Sequence, residues 1–365
     1  MKYFTQYGIQ NKVCEHFRNS LINNRLAHAY LFYGPEGTGK DAFALELAKT
    51  LNCADEHQRP CNKCASCQKI NHLNHPDVHL VIPVNKALTS DKIRERLKKM
   101  VVNPFAGIDG SSQHNILIDQ IRELKYESKY TPHEAQKKVY IISSAERMNK
   151  EAANSFLKIL EEPPDSLIIV MTTSNLNAIP ITIRSRCHII YFPVLKFDEA
   201  ISVVEQYDTV DDKIKEIIYL NENNLKKIFN SLSEDYGAKS QLVYEYIKAA
   251  ASQDILRLTE AIDKMTATRD RNYLLDLLNL LTLWFKDVIH VIALNDESII
   301  INTDLKENIT KFTRIYRDSD FEQIINNISD SIDYIKRNAN GKIVLTTLGF
   351  RIKNGLIRTE LQDVT

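Results

Sequence analysis

Residues 29–41 read "AYLFYGPEGTGKD", a short apolar run that breaks into a glycine loop and then into charge. An apolar run of this length bounded by turn formers predicts a buried strand, and "KDAFALELAKTLNC" (40–53) predicts the helix that follows it. Gly34, Gly39 and Lys40 fit the phosphate-binding pattern G-x-x-x-x-G-K-[ST] up to its last place, where Asp41 replaces the hydroxyl residue. Together with Gly37, these glycines still offer backbone amides and a helix N-terminus to an anion. The missing hydroxyl is the group that ligates magnesium in a working nucleoside-triphosphate site. A carboxylate can ligate magnesium, but beside a phosphate it also repels. Gly34, Gly37, Gly39 and Lys40 are therefore expected to form a degenerate loop that binds ATP weakly or not at all.

Four further apolar runs continue the pattern: "VHLVI" (78–82), "VYIIS" (139–143), "LIIVMTT" (167–173) and "CHIIYF" (187–192). Helical segments alternate with them, which predicts a parallel sheet covered on both faces. In a phosphoryl-transfer enzyme the core strand facing the loop ends in acidic residues that hold magnesium and orient water. Here that strand ends in Ser143 and Ser144, and Glu146 is expected to be a solvated residue at a helix start. After Pro193 the strands stop, and the chain reads as helical to Thr365.

The 365 residues are enough for two or three domains. Lys plus Arg and Asp plus Glu both number 47, so no global basic excess points to a stand-alone nucleic-acid binder. The N-terminus lacks a signal pattern, and "YLLDLLNLLTLWFKDVIHVIAL" (273–294) is interrupted by Asp276, Lys286 and Asp287. No membrane segment is expected, and the location expected is cytoplasmic. The basic run from Lys92 to Lys99, inside the stretch 83–115, leaves two readings open: a solvated helix face or a contact with DNA.

Four of the six cysteines, Cys53, Cys61, Cys64 and Cys67, fall within fifteen residues. Two overlapping C-x-x-C steps and a fourth thiol upstream have the spacing of a tetrahedral structural Zn2+ site. Buried free thiols or a disulfide pair are the alternative. His57, His72 and His75 lie nearby but are not needed as ligands once four thiolates are present. Cys14 and Cys187 sit in apolar surroundings and read as core.

Taken in order, "HAYLFYGPEGTGK", the cysteine cluster, "HPD" (75–77), "IDQIREL" (118–124), "NKEAANSFLKILEEPP" (149–164) and "IRSRC" (183–187) resemble the bacterial DNA polymerase III clamp-loader subunits of the AAA+ class. The resemblance is to the delta-prime branch more than to the gamma/tau motors, because the motors share the cysteines and the Ser-Arg-Cys motif but not the damaged loop. It implies a RecA-like AAA+ core with a zinc module at residues 53–67 (1–193), a small helical lid (194–240) and an all-α collar for oligomerisation (241–365). It implies a non-motor subunit without ATPase activity of its own, working in a hetero-pentameric ring with gamma/tau and delta subunits to load a sliding clamp onto primed DNA. Arg186, in Ser185-Arg186-Cys187, then corresponds to an arginine finger given in trans to a neighbour's ATP site. Asn223 and Lys226 in "LNENNLKK" (220–227) stand where the family has its second sensor, and Thr173 at the end of "MTTSN" stands at the first. Two other readings stay open, an active gamma/tau-like ATPase and a zinc module that binds DNA in its own right.

Overall fold

The computed structural model describes residues 2–4, 7–85, 90–107, 114–232, 235–268, 270–296, 300 and 305–357. Parts of the stretch 83–115 thus lie outside the described residues. The chain divides into two compact units, Met1–Ser231 and Leu232–Thr365.

The first unit is built on five parallel strands, β1 (Ala29–Tyr33), β2 (Val78–Val81), β3 (Lys138–Ile142), β4 (Leu167–Thr173) and β5 (His188–Tyr191). Their order across the sheet is β2-β3-β4-β1-β5. All five predicted strands are present. The inner strands β3 and β4 are buried throughout, as strands covered on both faces must be, whereas the edge strand β5 leaves Ile189 and Tyr191 exposed. Helices α1 (Asn11–Ile22), α2 (Lys40–Asn52), α3 (Ala65–Asn71), α4 (Ser90–Val102), α5 (Ile118–Glu127), α6 (Lys150–Glu161) and α7 (Ile181–Arg184) accompany the sheet. On one face Leu31, Ile169 and Ile142 pack with Ile121 and Leu124 of α5 and Phe156 of α6. On the other, Phe43 of α2 stands 5.4 Å from Phe17 of α1, 5.8 Å from Phe32 and 5.6 Å from Phe192, ring centre to ring centre. Tilted and edge-on pairs of this kind add to the stabilisation from burial alone.

Because β1 lies between β4 and β5, the loop that leaves its carboxyl end opens beside the ends of β4 and β3, where ligands sit in sheets of this class. The unit closes with three short helices, α8 (Phe197–Val204), α9 (Asp212–Leu220) and α10 (Leu225–Ser231). This is a parallel α/β core with accompanying helices, as the sequence predicts.

The second unit is helical: α11 (Asp235–Ser252), α12 (Ile255–Met265), α13 (Arg271–Leu294), α14 (Lys306–Ile315), α15 (Phe321–Lys336) and α16 (Gly341–Gly355). The division between units falls at 231/232, and residue 240 lies within α11. By length and composition α13 is apolar enough to cross a membrane. Its Leu277, Leu278, Leu281, Phe285 and Val288 are fully buried in the core of this unit. Trp284, on the same stripe, is 1% exposed and meets Phe312 edge-on at 4.7 Å, a packing role as expected.

Candidate functional site

The glycine loop has the conformation its sequence requires. Gly34 (φ 153°) and Gly37 (φ 74°) both lie where side chains are disfavoured. A Cβ at Gly34 would stand 2.1 Å from the carbonyl oxygen of Phe192, and one at Gly37 would stand 1.9 Å from Asn224 Oδ1. The second contact comes from the segment that leads into α10, whose Leu225 N–H also donates to the Gly37 carbonyl at 3.0 Å. Lys226 reaches the loop as well, pairing with Glu36 at 2.8 Å. Burial pushes the Glu36 carboxyl up, but the Lys226 ammonium outweighs it and holds the group below its usual range. Lys226, which the resemblance sets at the second sensor, thus grips the loop's own side chain, while Asn223 donates to the Leu195 carbonyl at 3.0 Å.

Lys40 is buried and donates to the carbonyls of Gly34 at 2.8 Å and Pro35 at 2.6 Å. Burial lowers its pKa from the usual lysine value. Asp41 accepts a hydrogen bond from Thr172 Oγ1 at 2.7 Å, and Thr172 Oγ1 in turn accepts one from the Ser144 N–H at 3.2 Å. A short protein bridge therefore joins the first turn of α2 to the ends of β4 and β3. In a motor those are the places that hold magnesium between a loop hydroxyl and a strand-end carboxylate. Thr173, by contrast, caps its strand: its hydroxyl donates to the Asn175 carbonyl and accepts the Asn175 N–H, both at 3.1 Å.

The cavity over this loop measures about 220 Å³, against roughly 300–1,000 Å³ for ordinary ligand pockets. Two groups from outside the glycine loop help to shape it. Phe105, from the stretch 83–115, packs against Tyr7 with ring centres 6.0 Å apart and lines the cavity with Pro104 and Gly107. Glu146 stands in the first turn of a short helix, as expected, but is half-buried there: it also lines the cavity and accepts from Ser174 Oγ at 3.0 Å. The turn after Ser144, which has φ 53°, bends the chain back over the strand ends and brings Glu146 with it. A left-handed Ser followed by a one-turn helix has no sequence signature that would have announced this.

The four cysteines come together as their spacing predicts, with all four Sγ atoms within 4.8 Å of one another and no disulfide among them. A tetrahedral ion with metal–sulfur bonds of about 2.3 Å sets its sulfurs about 3.8 Å apart, and the set is compatible with that spacing. Main-chain N–H groups already point at the sulfurs: Cys61 N at Cys53 Sγ, Cys64 N at Cys61 Sγ, and Cys67 N at Cys64 Sγ, at 3.3–3.5 Å. Burial pushes the Cys64 thiol up, but N–H groups of Ala54 and Cys67 outweigh it and bring it down to about 7. The arrangement fits one thiophilic metal ion. His75 is 4% exposed and faces Ser66 Oγ at 3.2 Å and the Asp77 N–H at 3.0 Å, so it holds the turn and is no part of the sulfur cluster.

Arg186 lies just beyond α7, between β4 and β5, with its side chain 36% exposed. It pairs with Glu161 at 2.9 Å and donates to the Thr182 carbonyl at 2.9 Å. Cys187 is partly buried, and burial pushes its thiol up to about 12.

Against known proteins, residues 9–196 match the family model described as DNA polymerase III, delta subunit. A segment of 188 residues is 38% identical to DNA polymerase III subunit delta' of Bacillus subtilis (strain 168), covering 52% of this chain and 49% of that protein. A segment of 256 residues is 30% identical to subunit tau of the same organism, covering 69% of this chain and 39% of that protein. The chain thus spans about half, or less, of the length of these relatives. Among solved structures, a DNA polymerase III gamma subunit-related protein of Thermotoga maritima aligns over 93% of this chain and 98% of its own, at 15% identity and a TM-score of 0.43. The match covers the glycine loop, the four cysteines and the Ser-Arg-Cys motif in one continuous span, and the chain belongs to the DNA polymerase III, delta subunit family.

Proposed function

We propose that this chain is a non-motor subunit of the bacterial DNA polymerase III clamp loader, of the delta-prime kind. The observation that carries the reading is the hydrogen bond from Thr172 to Asp41. It ties up Asp41, the residue that stands in the place of the missing magnesium ligand, while Glu36 of the loop is paired with Lys226 and Glu146 with Ser174. The strand end beside it offers Ser143 and Ser144, and the cavity is narrowed by Phe105 and Lys226. A site so constructed supports architecture better than ATP turnover. In this reading the chain works in a hetero-pentameric ring in the cytoplasm with gamma/tau and delta subunits, which together load a sliding clamp onto primed DNA. Zn2+ is the ion that suits four thiolates in a structural site. Arg186 serves as the arginine finger: it exchanges Glu161 for the phosphates of a neighbouring subunit's ATP, where a guanidinium in trans is worth about 10³–10⁵ in rate.

The longer similarity to subunit tau favours a second reading, an active ATPase motor. Turnover by the chain alone and in the reconstituted loader separates the two. The non-motor reading expects background turnover by the isolated chain, a loss in the loader from Arg186→Ala, and almost no effect from Lys40→Ala. Turnover by the isolated chain that Lys40→Ala abolishes would reverse the assignment.

A further inference from the structure

A second cavity in the first unit, of about 510 Å³, lies at the β2 edge of the sheet. Leu80 of β2, Leu97 of α4 and Leu124 of α5 give it apolar walls, while Glu123 and Glu127 of α5 and Tyr140 of β3 give it polar groups. Tyr140 is only 3% exposed, and its hydroxyl has no hydrogen-bond partner among the described residues. Buried hydroxyls are normally paired, and one left without a partner lowers stability. Glu123 and Glu127 stand one turn apart on the same helix, a like-charge spacing that destabilises a helix. Among the described residues neither forms an ion pair. Lys138, the buried cation of β3, donates to the main-chain oxygen of Glu127 at 2.9 Å.

His79 completes the site. Its ring stacks on Tyr140 with centres 4.6 Å apart and planes 16° from parallel. Burial, helped by the Lys138 ammonium, lowers its pKa from the usual value, so the ring is a neutral plate rather than a competing cation. The cavity therefore combines two carboxylates that form no side-chain ion pair among the described residues, an unused hydroxyl, an aromatic pair and aliphatic walls. Each has the same complement: a flat or compact cation on a short aliphatic stem.

We propose that this cavity binds an alkyl guanidinium or ammonium group, with the charged head at Glu123, Glu127 and the Tyr140 hydroxyl and its stem along the leucines. That group comes either as a free amine or as a basic side chain of another protein. The test titrates the full-length chain with agmatine, with N-acetyl-arginine amide, and with N-acetyl-citrulline amide, the neutral isostere, using calorimetry. The expected result is saturable binding of at least one guanidinium probe, at least about tenfold weaker for citrulline and about tenfold weaker in Glu127→Gln or Tyr140→Phe. Tighter binding of agmatine identifies a free amine, and tighter binding of the arginine amide identifies a protein side chain. Tyr140→Phe removes an unpaired hydroxyl, so that variant should melt no lower than the parent, which separates lost binding from lost folding. No saturable binding of either guanidinium probe, equal binding of citrulline, or unchanged affinity in both variants overturns the proposal.

Discussion

Replacing Thr172 by Val keeps the shape of a side chain that is 2% exposed and deletes the hydroxyl between Ser144 and Asp41. Two hydrogen bonds go. The one to the carboxylate is charge-assisted and contributes roughly 1.5–3 kcal/mol, and the one from the Ser144 N–H about 1 kcal/mol. The extra methyl of valine returns somewhat under 1 kcal/mol by burial, so a net loss of about 2–3 kcal/mol is expected. For a unit of about 230 residues, at roughly 2–4 °C per kcal/mol, the first unit should melt about 4–12 °C lower. Urea and thermal melts followed by circular dichroism measure the change, and ATP turnover of the same preparations should stay at background. A change below about 0.5 kcal/mol refutes the reasoning. Asp41 would then not be held by Thr172 in solution, and its carboxylate would be free to serve a metal ion.

Three further outcomes are expected. The purified chain carries about one zinc, which Cys64→Ser releases on dialysis; metal analysis checks this, and zinc retained by the variant refutes the four-cysteine assignment. Arg186→Ala removes a partly exposed pair worth at most about 1 kcal/mol, so its melt should match the parent while ATP turnover of the assembled loader falls at one motor site. Asp77 is fully buried and accepts N–H bonds from His133, Glu134 and Ala135 at 2.7–2.9 Å. Burial pushes its carboxyl up, but these three bonds outweigh it and hold the pKa below the usual carboxylate value. A depressed folded pKa contributes stability above the unfolded value near 3.9 and loses it as pH falls through the folded one. Asp77→Asn should accordingly be less stable than the parent at pH 7, with the gap closing in acid; a gap that is constant with pH in urea melts contradicts this.

Much of the core was legible because buried parallel strands leave an unmistakable trace. Each of the five apolar runs became a strand within a residue or two of its expected limits. The cysteines were legible for a similar reason, since ligands from one tight turn must be close in sequence. What escaped notice depends on distance along the chain. Thr172 and Asp41 are 131 residues apart, and only the order of strands in the sheet brings them together. Phe105 lies in a polar stretch whose basic run drew attention to charge, yet its ring packs on Tyr7 beside the glycine loop. The place of Glu146 at the cavity was not legible because a single left-handed residue, Ser144, redirects the chain. Arg186 was singled out by motif alone, and its pairing with Glu161 depends on where α6 ends, which no local pattern encodes.

The chain has one tryptophan, Trp284, and it is buried in the core of the second unit. Its emission is therefore a natural optical label for that unit alone, whereas circular dichroism sums over both. Overlaying the two signals along one denaturation curve would reveal whether the helical unit loses its packing together with the nucleotide-fold unit or at a different point, without attaching any dye.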